Sequence, residues 1–285
     1  MVSCMPTPHE SADLAYRWSG PASEASTIVL LHGLGDSGDC WPDAVRRWST
    51  TYRVVGLDLL GHGRSPRFTP AQLASEDPME AMYAAAEATT ARLVAERGGP
   101  LLLAGHSMGG GIAGALAARR PDLVGAAVLE DPAWRDPADR VQPREVVRER
   151  MADCRAFADD PQGQLEKGRA ENPTWPEAEL APWAESKSQV DLDFLDLGIA
   201  NLLEPWDDIV GAISVPTMVL LAERGGPVLP KVRQRAARID NPHLDIRVVP
   251  GTGHCIRRDD AAAYHALVDP FLAEHSGVFE GSDVP

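Results

Sequence analysis

The chain has 285 residues, 44% of them hydrophobic, enough to bury a large core, and α/β folds of this size commonly form one domain with an inserted cap. Its 27 Lys and Arg against 42 Asp and Glu give a formal net charge of −15, which argues against nucleic acid and anionic membrane surfaces as partners. Cys4, Cys40, Cys154 and Cys255 show no C-x-x-C or paired spacing and no His/Cys cluster that suggests a metal, so free thiols in a reducing cytosol are expected. Residues 1–10 lack the basic and apolar regions of a signal peptide, and no apolar run approaches the roughly 18 residues of a membrane span, so the expected location is cytoplasmic.

In chain order, the first clear element is Thr27-Ile28-Val29-Leu30-Leu31, which predicts a buried strand followed by His32-Gly33-Leu34-Gly35. Gly33-Leu34-Gly35-Asp36-Ser37-Gly38 spells G-x-G-x-x-G, and Asp58 follows about 20 residues on, as an NAD-binding unit requires. Against that oxidoreductase reading stands Pro42, which suits the first position of a helix starting well after the glycines. A second strand, Arg53 to Leu57, leads into Asp58-Leu59-Leu60-Gly61-His62-Gly63-Arg64-Ser65. Met79, Met82, Tyr83, Ala86, Leu93 and Val94 share one face of a helix over 79–97, with Pro78 before it and Gly98-Gly99 after it.

The most informative stretch is Gly105-His106-Ser107-Met108-Gly109, a G-x-S-x-G wedged between the strand-like Leu101-Leu102-Leu103-Ala104 and a Gly/Ala-rich helix running to Arg120 and stopped by Pro121. That setting predicts a sharp strand-to-helix turn that lifts the Ser107 hydroxyl into a cleft, backed by free N–H groups and the positive end of a helix dipole. Ala126-Ala127-Val128-Leu129 then predicts a strand ending in Glu130-Asp131-Pro132. Strand and helix alternate as a doubly wound parallel sheet demands, except over 132–210, a Pro-, Trp- and charge-rich region with helical pieces such as 144–157. We read it as an α-helical cap inserted after the sixth strand, leaving 1–131 and 211–285 as the core, with flexible ends at 1–12 and 277–285. The strand Pro216 to Leu221 ends in Ala222-Glu223-Arg224-Gly225-Gly226, and Leu244 to Val249 leads to Gly251-Thr252-Gly253-His254. Of the eight histidines, only His254 has the chain order and strand-end loop that suit a base for Ser107.

The ordered His-Gly, D-x-x-G-x-G-x-S, G-x-S-x-G and late G-x-G-H motifs closely resemble the α/β-hydrolase superfamily over about residues 14–275. The resemblance implies that the N–H groups of Leu34 and Met108 form an oxyanion hole. It also implies an acid, commonly in a Gly-Glu-x-Asp turn after the strand that ends near Leu221, where this chain has glycine in place of the aspartate. Haloalkane dehalogenases and zearalenone-type lactone hydrolases resemble the alternative, an acid at the end of the preceding strand. Asp131 is therefore the first choice, Glu223 the second and Glu130 the third. An Asp-Pro could also simply cap a turn.

The implied function is a serine hydrolase that cleaves a carboxylic ester or lactone of a hydrophobic small molecule through an acyl-enzyme, without a cofactor. Gly33, His106 and Trp134 are the expected substrate contacts, and Trp175, Trp183 and Trp206 lie with Trp134 in or beside the cap. A carbon–carbon bond hydrolase shares the constellation, and a non-catalytic binding protein on the same scaffold stays open. A homo-oligomer is possible.

Overall fold

The computed structural model describes residues 13–21, 25–226 and 228–276; the two ends expected to be flexible lie outside them. Seven strands form one sheet: β1 (Tyr16–Ser19), β2 (Thr27–Leu31), β3 (Arg53–Leu57), β4 (Leu101–His106), β5 (Val124–Glu130), β6 (Thr217–Ala222) and β7 (Leu244–Val249). Their order is β1-β3-β2-β4-β5-β6-β7, with β1 antiparallel to β3 and every other pair parallel. Every residue of β2, β3, β4 and β6 is buried, which explains their unbroken apolar runs: a parallel sheet has helices on both faces and no solvated side to alternate with.

The helices are α1 (Pro42–Trp48), α2 (Pro70–Leu73), α3 (Pro78–Arg97), α4 (Met108–Arg119), α5 (Arg144–Asp159), α6 (Pro161–Glu171), α7 (Glu177–Lys187), α8 (Leu192–Asp196), α9 (Trp206–Gly211), α10 (Pro230–Ala236), α11 (Ile256–Asp259) and α12 (Ala261–His275). Local chemistry fixes α3 at both ends: the Asp77 carboxylate accepts from the Met79 N–H, Pro78 takes the first turn, and Gly98 closes the helix at φ +82°. Met79, Met82, Ile112 and Leu116 cover one face of the sheet; Trp41, Trp48, Tyr264 and Leu272 cover the other.

The G-x-G-x-x-G segment does not open a helix, as the position of Pro42 leads one to expect. It forms turns, with Asp36 N–H donating to Gly33 O at 3.1 Å, and α1 begins only at Pro42. Asp58 does not face a ribose site: its carboxylate accepts from Gly38 N–H at 2.7 Å and Arg64 N–H at 3.0 Å, tying two loops together.

Helices α5 to α9 lie between β5 and β6, so the insertion follows the fifth described strand rather than the sixth, because only β1 precedes β2. α9 belongs energetically to the core, since Trp206, Ile209 and Val210 join the cluster that holds Ile112 and Leu116. α7 is clamped to the turn after β2. Arg258, fully buried, reaches Asp36 at 3.0 Å and Glu179 of α7 at 3.1 Å, while Lys187 of α7 reaches the other Asp36 oxygen at 3.0 Å. Burial pushes the Asp36 pKa up, but Arg258 and Lys187 outweigh it and hold the carboxyl well below its usual range.

Candidate active site

Ser107 sits between β4 and α4 with φ 54° and ψ −116°, and the only other non-glycine residue with positive φ among the described residues is Asp131, at 36°. Such backbone costs on the order of 1–3 kcal/mol per residue and persists only where the surroundings over-determine it. They do here. Ser107 N–H donates to Glu130 O at 2.9 Å, Ser107 O accepts from Gly111 and Ala133 N–H, and Asp131 N–H donates to Leu220 O at 2.7 Å. The flanking glycines serve close approach: a Cβ on Gly105 would collide with Gly109 O, and one on Gly109 with Leu31 O.

The loop after β7 brings His254 Nε2 to 3.0 Å from Ser107 Oγ and His254 Nδ1 to 2.7 Å from Asp131 Oδ2. The remaining Asp131 oxygen accepts from Ala222 N–H at 3.1 Å, so the carboxylate, 1% exposed, is held from both sides. Gly226 makes room for it. A Cβ there would collide with Asp131 Oδ2 and lie 3.5 Å from His254 Nδ1, so the glycine turn after β6 and the carboxylate after β5 are two halves of one arrangement.

The other two acid candidates are engaged elsewhere. Glu223 accepts from Gly251 N–H at 2.9 Å at an exposed position. Glu130 is fully buried against Arg257, 2.8 Å from its guanidinium, and also accepts the Arg257 N–H at 2.9 Å. Burial opposes the Arg257 charge, but Glu130 raises its pKa above the ordinary value.

Two further histidines shape the site without touching the Ser107 hydroxyl. The His32 ring accepts from Leu59 N–H at Nε2, 3.0 Å, so its Nδ1–H donates to Gly33 O at 2.8 Å and steadies the turn that carries Leu34. His106 donates from Nε2 to His254 O at 3.0 Å, which holds the His254 backbone; its Nδ1 is buried without a partner. Burial, and for His106 the neighbouring His254, depresses both pKa values, so both rings stay neutral. The N–H groups of Leu34 and Met108 donate to no described residue and are free for an incoming oxygen.

A cavity of about 420 Å³ opens over Ser107 and His254, lined also by Gly33, Leu34, His106 and Trp183. Trp134 is not among its walls. The positive φ at Asp131 and the Ala133 N–H bond to Ser107 O turn the chain back across α4, where Trp134 stacks on Trp206 at 4.7 Å. The tryptophan that reaches the cavity is Trp183, on α7, braced edge-on by Phe157 and Trp175. Nothing in its sequence neighbourhood distinguishes it; its position follows from the Arg258 and Lys187 clamp.

A family model described as "Alpha/beta hydrolase family" matches residues 28–267. Among curated proteins, "Lipase LipV" of Mycobacterium tuberculosis is 36% identical over 140 residues, 49% of this chain and 49% of that protein. An (E)-2-((N-methylformamido)methylene)succinate hydrolase of Acinetobacter baylyi is 37% identical over 102 residues, 35% of each chain. The chain thus spans about half, or less, of the length of these curated relatives. Among solved structures, an E-2-(acetamidomethylene)succinate hydrolase superposes with a TM-score of 0.71 at 18% identity, covering 91% of this chain and 95% of that one, a likeness of fold.

Proposed function

The chain belongs to the alpha/beta hydrolase family, and from that premise we propose that it is a serine hydrolase cleaving a small carboxylic ester or lactone through an acyl-enzyme. One observation carries the reading: an unbroken chain of contacts, 3.0 Å from Ser107 Oγ to His254 Nε2 and 2.7 Å from His254 Nδ1 to Asp131. The printed activities of the relatives differ, a lipase and a hydrolase of a substituted succinate, so the substrate is argued from the site.

In the proposed reaction, Ser107 Oγ attacks the carbonyl carbon as its proton passes to His254 Nε2. Asp131 keeps the other imidazole proton on Nδ1 and stabilises the imidazolium. The Leu34 and Met108 N–H groups receive the developing oxyanion. The tetrahedral intermediate collapses, His254 hands its proton to the leaving oxygen, and the acyl group stays on Ser107. Water then attacks the acyl carbon, gives its proton to His254, and the returning proton restores the serine hydroxyl as the carboxylic acid departs. Helices α5 to α8 act as the cap over this chemistry, with Leu34, Val146 and Trp183 meeting the apolar part of the substrate. We place the protein in the cytoplasm, where its free thiols Cys40, Cys154 and Cys255 stay reduced; among the described residues no helix is long and apolar enough to cross a membrane.

The test is kinetic. On a panel of 4-nitrophenyl esters and lactones, Ser107→Ala and Ser107→Ala/His254→Ala should be about equally inactive, because the residues act as a unit. A Ser107→Ala variant that retains most of the wild-type rate would refute Ser107 as the nucleophile, and a wild type that cleaves nothing and leaves Ser107 unlabelled by a fluorophosphonate would favour a binding protein.

A further inference from the structure

The cavity over Ser107 has an unusual charge balance for a chain of net charge −15. Its walls hold four cationic side chains, Arg135, Arg150, Lys187 and Arg258, against one carboxylate, Asp36. Two of these cations are accounted for, since Lys187 and Arg258 share Asp36 between them. The other two are not. Arg135 makes no hydrogen bond or ion pair with any described residue, and Arg150 meets only the neutral Gln142 side chain, at 3.1 Å.

Several other partly or fully buried arginines take carboxylates, whereas Arg53 lies over the Trp18 ring at 3.7 Å and Arg233 donates to the Glu223 carbonyl at 2.9 Å. Arg119 takes Glu80 and Glu204, Arg140 takes Asp77, and Arg120 takes Glu87 and Asp122. Arg135 and Arg150 are each partly buried and close enough to repel one another. Burial pulls both guanidinium pKa values below the ordinary one, and for Arg150 the positive charge of Arg135 adds to the effect, while Cys154 and Asp153, the latter 3.6 Å from Lys167, offset part of it. Asp139, the carboxylate nearest in influence to Arg135, is engaged by Lys231 at 2.6 Å. Two partly desolvated like charges without a hydrogen-bonded carboxylate are costly, and an entering anion relieves that cost. A guanidinium fork matches a carboxylate in two parallel hydrogen bonds, so the pair is suited to orienting as well as attracting.

We infer that the substrate is itself an anion: a small ester or lactone bearing a free carboxylate, which Arg135 and Arg150 hold while Ser107 attacks the carbonyl. This deepens the hydrolase reading and rests on it. The arrangement also separates two tasks within one cavity. Asp36, Glu179, Lys187 and Arg258 form a closed, self-neutralised group that fixes α7 to the core, leaving the net positive field at Arg135 and Arg150 to the ligand. Arg150 also borders a neighbouring cavity of about 180 Å³, which shares Leu34, Trp183 and Lys187 with the first and adds Asp153, Lys167 and Glu171 to its walls.

The test compares acids with their own methyl esters, so that only the charge changes. One series carries the carboxylate on the acyl side, the 4-nitrophenyl monoesters of succinic, glutaric and adipic acid. The other carries it on the alcohol side, 4-acetoxybenzoate against its methyl ester. In at least one series the wild type should prefer the acid in kcat/KM by more than about tenfold, and Arg135→Gln and Arg150→Gln should each shrink that preference about 10- to 100-fold, the worth of one charged hydrogen bond. Arg135→Lys and Arg150→Lys, which keep the charge but lose the fork, should fall between, and circular dichroism checks that all four variants fold. Equal rates on acid and neutral ester in both series, or a preference that survives both Gln variants, would overturn the carboxylate inference while leaving the serine hydrolase intact. Failure of the parent reading looks different: no covalent labelling of Ser107 by a fluorophosphonate, whatever the ester.

Discussion

Asp131→Asn perturbs the candidate site at its most informative contact. In the native arrangement Asp131 Oδ1 accepts from Ala222 N–H at 3.1 Å and Oδ2 meets His254 Nδ1 at 2.7 Å. An amide placed there keeps its carbonyl on Ala222, because the flipped rotamer would set its NH₂ against a buried N–H and leave that donor unsatisfied, at about 1–3 kcal/mol. The NH₂ therefore faces Nδ1, which must become the acceptor, and the imidazole proton moves to Nε2. Nε2 then presents a donor to Ser107 where a base is required, 3.0 Å away. The expected loss in kcat is about 10³- to 10⁴-fold, or roughly 4–5.5 kcal/mol of transition-state stabilisation. Side-chain volume is unchanged, so the melting temperature should move little. The assay is steady-state hydrolysis of a 4-nitrophenyl ester beside Glu223→Gln, whose carboxylate holds only the Gly251 N–H and which should stay close to wild type. If Asp131→Asn kept more than about a tenth of the activity, or Glu223→Gln took the loss instead, the tautomer argument would be refuted.

Gly226→Ala forces a Cβ into Asp131 Oδ2 at a backbone φ of +79°, and should cost about 1–2 kcal/mol of stability and about 10²-fold in kcat as the carboxylate is displaced; unchanged kinetics would contradict the shared-space account. Glu130→Ala strands the buried Arg257 guanidinium and should lower the free energy of unfolding by about 3–5 kcal/mol, read from urea denaturation; a purely kinetic defect at full stability would instead give Glu130 a part in the chemistry. Burial depresses the pKa values of His32, His62, to about 3, and His106, the last two also feeling a neighbouring histidine, so below about pH 6.5 the unfolded chain takes up three protons that the native state refuses. Stability should therefore be full above that pH and fall as pH drops, by about 3 kcal/mol between pH 7.5 and 5.5 from His62 and His106, with His32 acting in the same direction; a urea midpoint that does not move over that interval would show that these rings titrate normally.

Much of this architecture is legible along the chain because its signals are local. The apolar runs of β2, β3, β4 and β6, the Pro and Gly that bound α3, and the G-x-S-x-G turn each report a physical constraint within a few residues. Ser107 and His254 stand out because strand-end loops in a parallel sheet converge on one edge. Asp131 is harder to read, as three carboxylates compete and only their partners, Ala222, Gly251 and Arg257, separate them. The contacts that could not be read join distant segments: Gly226 against Asp131, His106 against the His254 carbonyl, Arg258 between Asp36 and Glu179. Trp134 shows the limit of arguing from adjacency, since three residues beyond Asp131 the chain has already turned behind α4. The G-x-G-x-x-G spacing misleads for a related reason: what decides its role is where α1 begins, and Pro42 places that nine residues after Gly33.

The central claim is that Ser107 is an activated nucleophile, and covalent labelling reads it with no assumption about substrate. Native protein incubated with a fluorophosphonate should gain one adduct, mapped by peptide mass spectrometry to Ser107, with none on Ser107→Ala and a much slower reaction on His254→Ala. Wild-type protein that labels no faster than Ser107→Ala, or that carries its adduct on another residue, would contradict the account.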